Sequence, residues 1–195
     1  ETVHDNVNSS LIKMTIDDWY KTNIVENGYS YYISNDAGFC GDRSIYNGDG
    51  ISTNNSTYFG AYDRYQNNTA QFTCPNVERD LYTTIDSNIG NKALTYPVGL
   101  ITYDEYMFAG IVSKKINKFS WIYSINHSWT MSPSYFYARG GAGFQWVFTS
   151  DGYLRGWWNI NLTLNTRPVI NLKSDVKITG GIGTANDPFV IDTNN

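Results

Sequence analysis

Two aromatic-rich runs that flank a turn constrain the fold more than any other feature of this sequence. Residues 144–149 and 153–158 lie on either side of Ser150-Asp151-Gly152, a tripeptide typical of tight turns. Apolar runs of strand length that a turn separates predict an antiparallel hairpin. We therefore expect the carboxyl-terminal part of the chain to form an antiparallel sheet.

Other short apolar runs predict further strands. They lie at residues 96–101, 119–123, 169–172, 176–178 and 189–191. Gly180-Gly181-Ile182-Gly183 lies between the last two runs, so these are expected to form a hairpin that closes the sheet.

An amphipathic helix is predicted at residues 9–26. Four large side chains fall on one stripe at helical spacing: Ile12, Ile16, Trp19 and Tyr20. Ser9 or Ser10 can cap the amino end, and Asn27-Gly28 is a typical stop signal. We expect this helix to serve as scaffold.

A second helix is predicted just after residue 102. Thr102 and Glu105 have the spacing of a capping box, in which each side chain satisfies a free backbone N–H at the helix start. With the runs above, this predicts an α+β protein with two helices packed beside an antiparallel, loop-rich sheet.

The segment between the two helices holds both cysteines of the chain, Cys40 and Cys74. It is crowded with Asn, Gly, Ser, Asp and Tyr, which predicts long ordered loops. An even cysteine count in turn-rich segments favours one disulfide and an oxidising compartment, and two buried free thiols are the alternative.

We expect a single domain in three segments. They are an amino-terminal helix (1–28), a disulfide-pinned loop-rich part (29–95), and a helix and sheet carrying a binding surface (96–195).

Charge and hydropathy exclude several partner classes. The net charge of −4 and the isoelectric point near 5.0 lack the basic footprint of a nucleic-acid binder, and no polybasic cluster of a membrane-surface protein is predicted. No apolar run approaches the ~20 residues of a transmembrane helix. A start at Glu1 fits a chain from which a signal or anchor segment was removed.

Catalytic and metal-binding motifs are missing from the sequence. The only histidines are His4 and His127, no Cys-x-x-Cys pair occurs, and a structural role is expected for His127. We therefore expect no metal, no cofactor and no enzymatic activity.

A binding surface is predicted between Trp129 and Arg167, where Tyr, Trp, Arg and Asn accumulate. Its candidate ligand-binding residues are Tyr135, Tyr137, Arg139, Trp146, Tyr153, Arg155, Trp157, Asn159, Asn161 and Asn165. Alternation along residues 158–164 predicts one buried and one exposed set. Trp158, Ile160, Leu162 and Leu164 form the buried set, and Asn159, Asn161 and Thr163 are exposed together with Trp157. Burial of both Trp157 and Trp158 is the alternative.

Several motifs resemble a bacterial domain family of unknown function with a C-type lectin-like fold. They are Trp129-Thr130-Met131-Ser132-Pro133, Ser150-Asp151-Gly152, and residues 167–176 and 180–188, with residues 37–44 and 93–102 upstream. The fold also occurs in formylglycine-generating enzymes and in the variable proteins of diversity-generating retroelements. The resemblance implies that Trp129, Pro133, Arg167 and Pro168 form a frame, and that the residues between them form a ligand-binding surface.

The resemblance implies a secreted or surface-displayed, adhesin-like binding domain for an external protein or glycan. The Glu-Pro-Asn, Gln-Pro-Asp and Trp-Asn-Asp motifs of calcium-dependent lectins are missing. Formylglycine-generating enzymes use active-site cysteines late in the chain, and no cysteine follows Cys74 here. In one subclass, residues 135–165 would be diversified by a retroelement. The alternatives are a pilin-like or cell-surface structural subunit and a lectin-fold enzyme.

Overall fold

The computed structural model describes residues 8–51, 54–184 and 186–193. Within these ranges the chain forms four α-helices: α1 Leu11–Tyr20, α2 Gly60–Asn67, α3 Val77–Asp80 and α4 Tyr103–Phe108. The amino-terminal strands are β1 Phe39–Cys40, β2 Ile45–Asn47, β3 Thr57–Phe59, β4 Leu81–Tyr82 and β5 Gly99–Leu100. The later strands are β6 Ser128–Tyr137, β7 Ala142–Thr149, β8 Tyr153–Asn159, β9 Pro168–Val169, β10 Ile178–Gly180 and β11 Val190–Ile191. The α+β class and the antiparallel sheet are confirmed. Two α-helices were predicted, and four are observed among the described residues.

A five-stranded antiparallel sheet in the order β2-β3-β6-β7-β8 forms the centre of the structure. The predicted hairpin is its β7–β8 pair, and Gly152 takes a φ of +82° in the turn. Central strand β6 contains Pro133, which cannot donate a ladder hydrogen bond. The register of β6 and β7 shifts between Pro133 and Tyr135, and such a bulge is where an interior strand tolerates proline.

The sheet separates two hydrophobic clusters, because successive residues of a strand point to opposite faces. Val147 packs in a cluster with Ile16 and Tyr20 of α1. Its neighbours Trp146 and Phe148 pack in the other cluster with Tyr103 and Tyr106 of α4. Helix α1 therefore packs against one face of the sheet, and helix α4 packs against the other.

The two predicted helices form with the expected caps. The backbone N–H of Lys13 donates to Oγ of Ser10 over 3.1 Å at the start of α1, and the helix continues as a π-helical turn, Lys21–Val25. Its predicted stripe faces the core, with Ile16 and Tyr20 buried and Ile12 and Trp19 partly buried. The Thr102–Glu105 capping box opens α4.

The loop-rich segment is fastened by a disulfide and by buried ion pairs. Cys40 and Cys74 are joined, as expected. Arg64 of α2 contacts Asp42 at 2.6 Å and Asp104 of α4 at 2.7 Å, and all three side chains are mostly buried. The helix that supplies Arg64 was not predicted, because its sequence is dominated by Tyr, Asn, Gly and charged residues.

The predicted strand at 119–123 is wrong, and the burial alternation predicted for residues 158–164 holds for Trp158 and Leu164, which pack partly buried against the core, but not for Ile160 and Leu162. Residues 119–123 form a loop in which Phe119 is 100% and Trp121 73% exposed, while Ile122 alone of the three is buried. Strand β8 ends at Asn159, whose Oδ1 accepts the backbone N–H of Asn161 and turns the chain. Ile160 and Leu162, expected in the core, are therefore about half exposed.

Each remaining predicted strand overlaps an observed strand that is shorter or shifted along the chain. Only Gly99–Leu100 of the run at 96–101 is paired, and its partner is Pro168–Val169. The hairpin between Ile178–Gly180 and Val190–Ile191 forms, but as a separate two-stranded sheet that does not extend the central sheet. Ala185, within the motif at 180–188, lies outside the described residues.

Candidate ligand-binding surface

A row of aromatic side chains crosses the central sheet. Tyr58 of β3 is the register partner of Tyr135 of β6, which is in turn the partner of Phe144 of β7. Directly opposed residues of antiparallel strands place their side chains on the same face. The Tyr135 ring lies 4.6 Å from the Tyr58 ring and 5.7 Å from the Phe144 ring.

Other rings extend this row on both sides. Trp157 of β8 lies 4.9 Å from Tyr135, and Tyr62 of α2 lies 4.2 Å from Tyr58 and 6.3 Å from Trp157. Tyr46 contacts Tyr62 at one end, and Tyr137 contacts Tyr135 at the other. We refer to the seven connected rings as the aromatic strip: Tyr46, Tyr58, Tyr62, Tyr135, Tyr137, Phe144 and Trp157.

The aromatic strip is ordered by its own contacts and yet open to solvent. Trp157 is 54%, Tyr46 51% and Tyr137 40% exposed, and the other four rings are partly buried. Ring pairs at 4–7 Å stabilise one another beyond the area they bury. Partial burial is the main cause that raises the pKa of Tyr58, and the neighbouring Tyr62 and Tyr135 raise it further.

Two cations border the strip near α2. The hydroxyls of Tyr65 and Tyr153 lie 3.2 Å apart, and burial together with this hydrogen bond raises the pKa of Tyr65. The guanidinium of Arg155 lies 4.7 Å from the Tyr153 ring centroid, and the ammonium of Lys114 lies 5.1 Å from that of Tyr65. These cations are held in place by Asp151, which pairs with Arg155 at 2.7 Å, and by Oε1 of Gln66, which accepts from Lys114 over 3.1 Å.

Several of the predicted ligand-binding residues lie on or beside the aromatic strip. Tyr135, Tyr137 and Trp157 belong to the aromatic strip, and Trp158 packs partly buried against the core, so the alternative in which both tryptophans are buried is wrong. Asn159 is the register partner of Phe144, and exposed Arg139 follows Tyr137 in a short 3₁₀ turn. These residues do share one region of the surface.

Two predicted site residues, Trp146 and Asn165, lie away from the strip, whereas Asn161 is exposed as expected. Trp146 is only 1% exposed and packs 4.9 Å from the Tyr103 ring, so it belongs to the core. Asn165 pairs with Ser128 at the far end of β6, which puts it more than about 20 Å along the strand from Tyr135. Asn161 is exposed in the turn that follows β8.

Four members of the strip were not among the predicted site residues: Tyr46, Tyr58, Tyr62 and Phe144. Three of them come from the segment expected to form only loops. Tyr62 and Tyr65 of α2 are three positions apart, which is compatible with one face of a helix and was the available signal for that helix.

A cavity of about 390 Å³ adjoins the strip, and Tyr135 and Phe144 line both. Its walls are mainly apolar and come from α1, β3, β5, β6 and β7, with Lys13, Arg43 and Gln145 as polar contributions. This volume falls in the range typical of small-molecule pockets. A ligand on the strip could therefore place an apolar group in the cavity.

His127 has a structural environment. Its Nδ1 accepts the backbone N–H of Ser150 over 3.0 Å, and its ring lies 4.9 Å from that of Trp158. Among the described residues, no group of three or more His, Cys, Asp or Glu side chains could hold a metal ion. In the same part of the chain, every helix is too short or too polar to cross a membrane.

Comparison with known proteins identifies no relative. No protein-family model matches the chain, and no match is found among curated proteins or among solved structures.

Proposed function

We propose that this protein is a secreted or surface-displayed ligand-binding domain of C-type lectin-like fold, which recognises an external protein or glycan through the aromatic strip. The observation that carries the proposal is the strip itself. Seven rings from six helices and strands contact one another, and none is fully buried.

The strip has the physical properties of a recognition surface. Tyr and Trp offer a large contact area and lose little side-chain entropy on binding, because each has only two rotatable bonds. Mutual packing of Tyr58, Tyr135 and Trp157 holds these rings in place before a ligand arrives. Such preorganisation reduces the cost of binding.

Three further features support an extracellular binding domain. The Cys40–Cys74 disulfide fits an oxidising compartment. Frame residues of the resembled family have structural roles, since Trp129 is buried in the core and Nη1 of Arg167 donates to the carbonyl oxygen of Ile122 over 2.6 Å. The cavity beside Tyr135 gives room for an apolar substituent of the ligand.

Diversification by a retroelement would act on only part of the strip. Tyr135, Tyr137, Phe144 and Trp157 lie within residues 135–165, whereas the other three rings lie outside that segment. A neighbouring template repeat that differs from the gene at adenines would support this subclass, and a genome without one would remove it.

Binding to glycan and protein arrays tests the proposal, with Trp157→Ala compared against Trp121→Ala. Both tryptophans are exposed, but only Trp157 contacts the strip. We expect the wild-type protein to bind a ligand, Trp157→Ala to lose binding by at least about tenfold, and Trp121→Ala to retain it. Equal loss in both variants, or full binding by Trp157→Ala, would contradict recognition through the strip.

A structural subunit of a surface assembly would use the same rings differently. In that case the wild-type protein would self-associate in light scattering, Trp157→Ala would remain monomeric, and the arrays would show no ligand.

A further inference from the structure

A second exposed apolar surface lies on the loop of residues 114–125, which follows α4. It carries four large side chains that are open to solvent: Ile116 at 61%, Phe119 at 100%, Trp121 at 73% and Ile125 at 76%. None of these is part of the aromatic strip. Exposed apolar side chains concentrated on one short segment mark an interaction site more often than scattered ones do.

Loop 114–125 is held in place by the body of the protein. The backbone N–H of Asn117 donates to the carbonyl oxygen of Gly152, and its Nδ2 donates to that of Gly110, both over 2.9 Å. Oγ of Ser120 donates to the carbonyl oxygen of Ala109, and Ile122 is buried. Since the loop is anchored at these points, the exposure of Phe119 and Trp121 is built into the fold.

The charge of this loop is entirely positive. Lys114, Lys115 and Lys118 lie on it, and the sequence contains no Asp or Glu from residue 106 to residue 150, although the whole chain has a net charge of −4. Asp151 is the acid of the adjoining hairpin turn, and its carboxylate is paired with Arg155 at 2.7 Å. Lys115 and Lys118 are exposed.

We propose that loop 114–125 binds the surface of an anionic lipid bilayer. Phe119 and Trp121 enter the headgroup region, and Lys115 and Lys118 pair with lipid phosphates. Projecting single side chains suit a bilayer, because lipid deforms around them, whereas a protein partner would need a matching pocket for each. Aromatic side chains next to lysine are the composition that favours the membrane–water interface.

Neither the lysines nor the apolar side chains of the loop are sufficient alone for stable attachment to a bilayer. Three lysines are fewer than the four to eight that usually form a lipid-binding polybasic cluster, in keeping with the sequence prediction that no such cluster exists. Each lysine near an anionic surface strengthens binding by about fivefold. Stable attachment takes two signals, and here the apolar tips supply the second.

Co-sedimentation of the full chain with lipid vesicles tests this proposal. One vesicle type is phosphatidylcholine alone, and the other contains about one third phosphatidylglycerol, which gives an anionic surface. We expect binding to the anionic vesicles only. Raising the NaCl concentration from about 0.1 M to about 1 M should weaken it, because the Debye length falls from about 10 Å to about 3 Å.

Two paired variants separate the contributions. Phe119→Ser/Trp121→Ser should lower the partition coefficient at least about tenfold, and Lys115→Gln/Lys118→Gln should lower it about 25-fold. Trp157→Ser is the matched control and should bind vesicles like the wild type, so failure of the strip and failure of the loop can be distinguished. Unchanged thermal melting shows that each variant is folded.

Three results would overturn the proposal. They are an absence of binding to anionic vesicles, equal binding to both vesicle types, and retention of binding by Phe119→Ser/Trp121→Ser. Concentration-dependent self-association that this variant abolishes, without vesicle binding by the wild type, would instead identify the loop as an interface between copies of the chain.

Discussion

Arg64 and Asp104 form a bidentate ion pair in which Nε and Nη2 of the guanidinium each donate to the carboxylate over 2.7 Å. The pair joins α2 to α4, and Asp42 contacts the same guanidinium at 2.6 Å. Burial alone would lower the pKa of Arg64, but hydrogen bonds and charges from Asp104 and Asp42 outweigh it and raise the pKa. Helix α2 also carries Tyr62, so this buried cluster positions part of the aromatic strip.

We expect Arg64→Leu to destabilise the protein by about 3–5 kcal/mol, because it leaves two buried carboxylates without their cation. Chemical denaturation followed by circular dichroism measures the change. Arg155→Leu is the control, since its ion pair with Asp151 is partly exposed, and it should cost less than about 1 kcal/mol. Equal losses in the two variants would mean that the buried cluster contributes no more than a surface pair.

Acid should destabilise the protein partly through Asp80. Burial would raise the pKa of this carboxyl, but hydrogen bonds from Arg79 and Arg43 outweigh it and hold the pKa below its ordinary value of 3.8. Because the pKa is lower in the folded state, the stability from this group is present above pH 3.8 and is lost as the pH falls through the folded-state value.

The measurement is the free energy of unfolding as a function of pH for wild type and Asp80→Asn. Below about pH 4 the wild type should lose up to about 1.4 kcal/mol per pH unit through this group, and the variant should show a correspondingly smaller slope. An unchanged slope in Asp80→Asn would refute the assignment.

The sequence predicted the parts of the fold that depend on local signals. The Thr102–Glu105 capping box and the Ser150-Asp151-Gly152 turn involve residues close together in the chain, and both form as expected. The aromatic strip depends on the pairing of β3 with β6, which brings Tyr58 to Tyr135 from a distant part of the chain. No local pattern encodes that register, so the three rings supplied by the early segment, Tyr46, Tyr58 and Tyr62, were missed.

The exposure of Trp146 and of Trp157 was equally beyond what local sequence patterns predict. Both belong to aromatic-rich strands, but Trp146 packs in the core and Trp157 is exposed. The difference depends on tertiary neighbours: the Trp146 ring occupies the space beside Gly156, on the adjacent strand. A composition that marks a binding surface therefore cannot by itself separate exposed rings from buried ones.

This packing predicts that Gly156→Ala destabilises the protein. A Cβ atom at Gly156 would lie 3.1 Å from the Trp146 ring and would overlap Oγ of Ser134. Overpacking of this kind costs about 1–3 kcal/mol. Gly180→Ala is the matched control, because a Cβ there meets only Val190 at 3.8 Å. Thermal melting compares the two, and a stable Gly156→Ala protein would show that the site relaxes without cost.

The disulfide should be the largest single covalent contribution to stability. Cys40 and Cys74 are separated by 34 positions, and closing a loop of that length in the unfolded chain is worth about 4 kcal/mol in the chain-entropy model. The double variant Cys40→Ser/Cys74→Ser should therefore unfold at lower denaturant concentration, and a reducing agent should destabilise the wild type but leave the variant unchanged.

Because the bridge pins the segment that supplies Tyr46, Tyr58 and Tyr62, reduction should also weaken ligand binding under conditions where the fold persists. Binding that is unaffected by reduction would show that the ion pairs of Arg64 hold these rings without help from the disulfide.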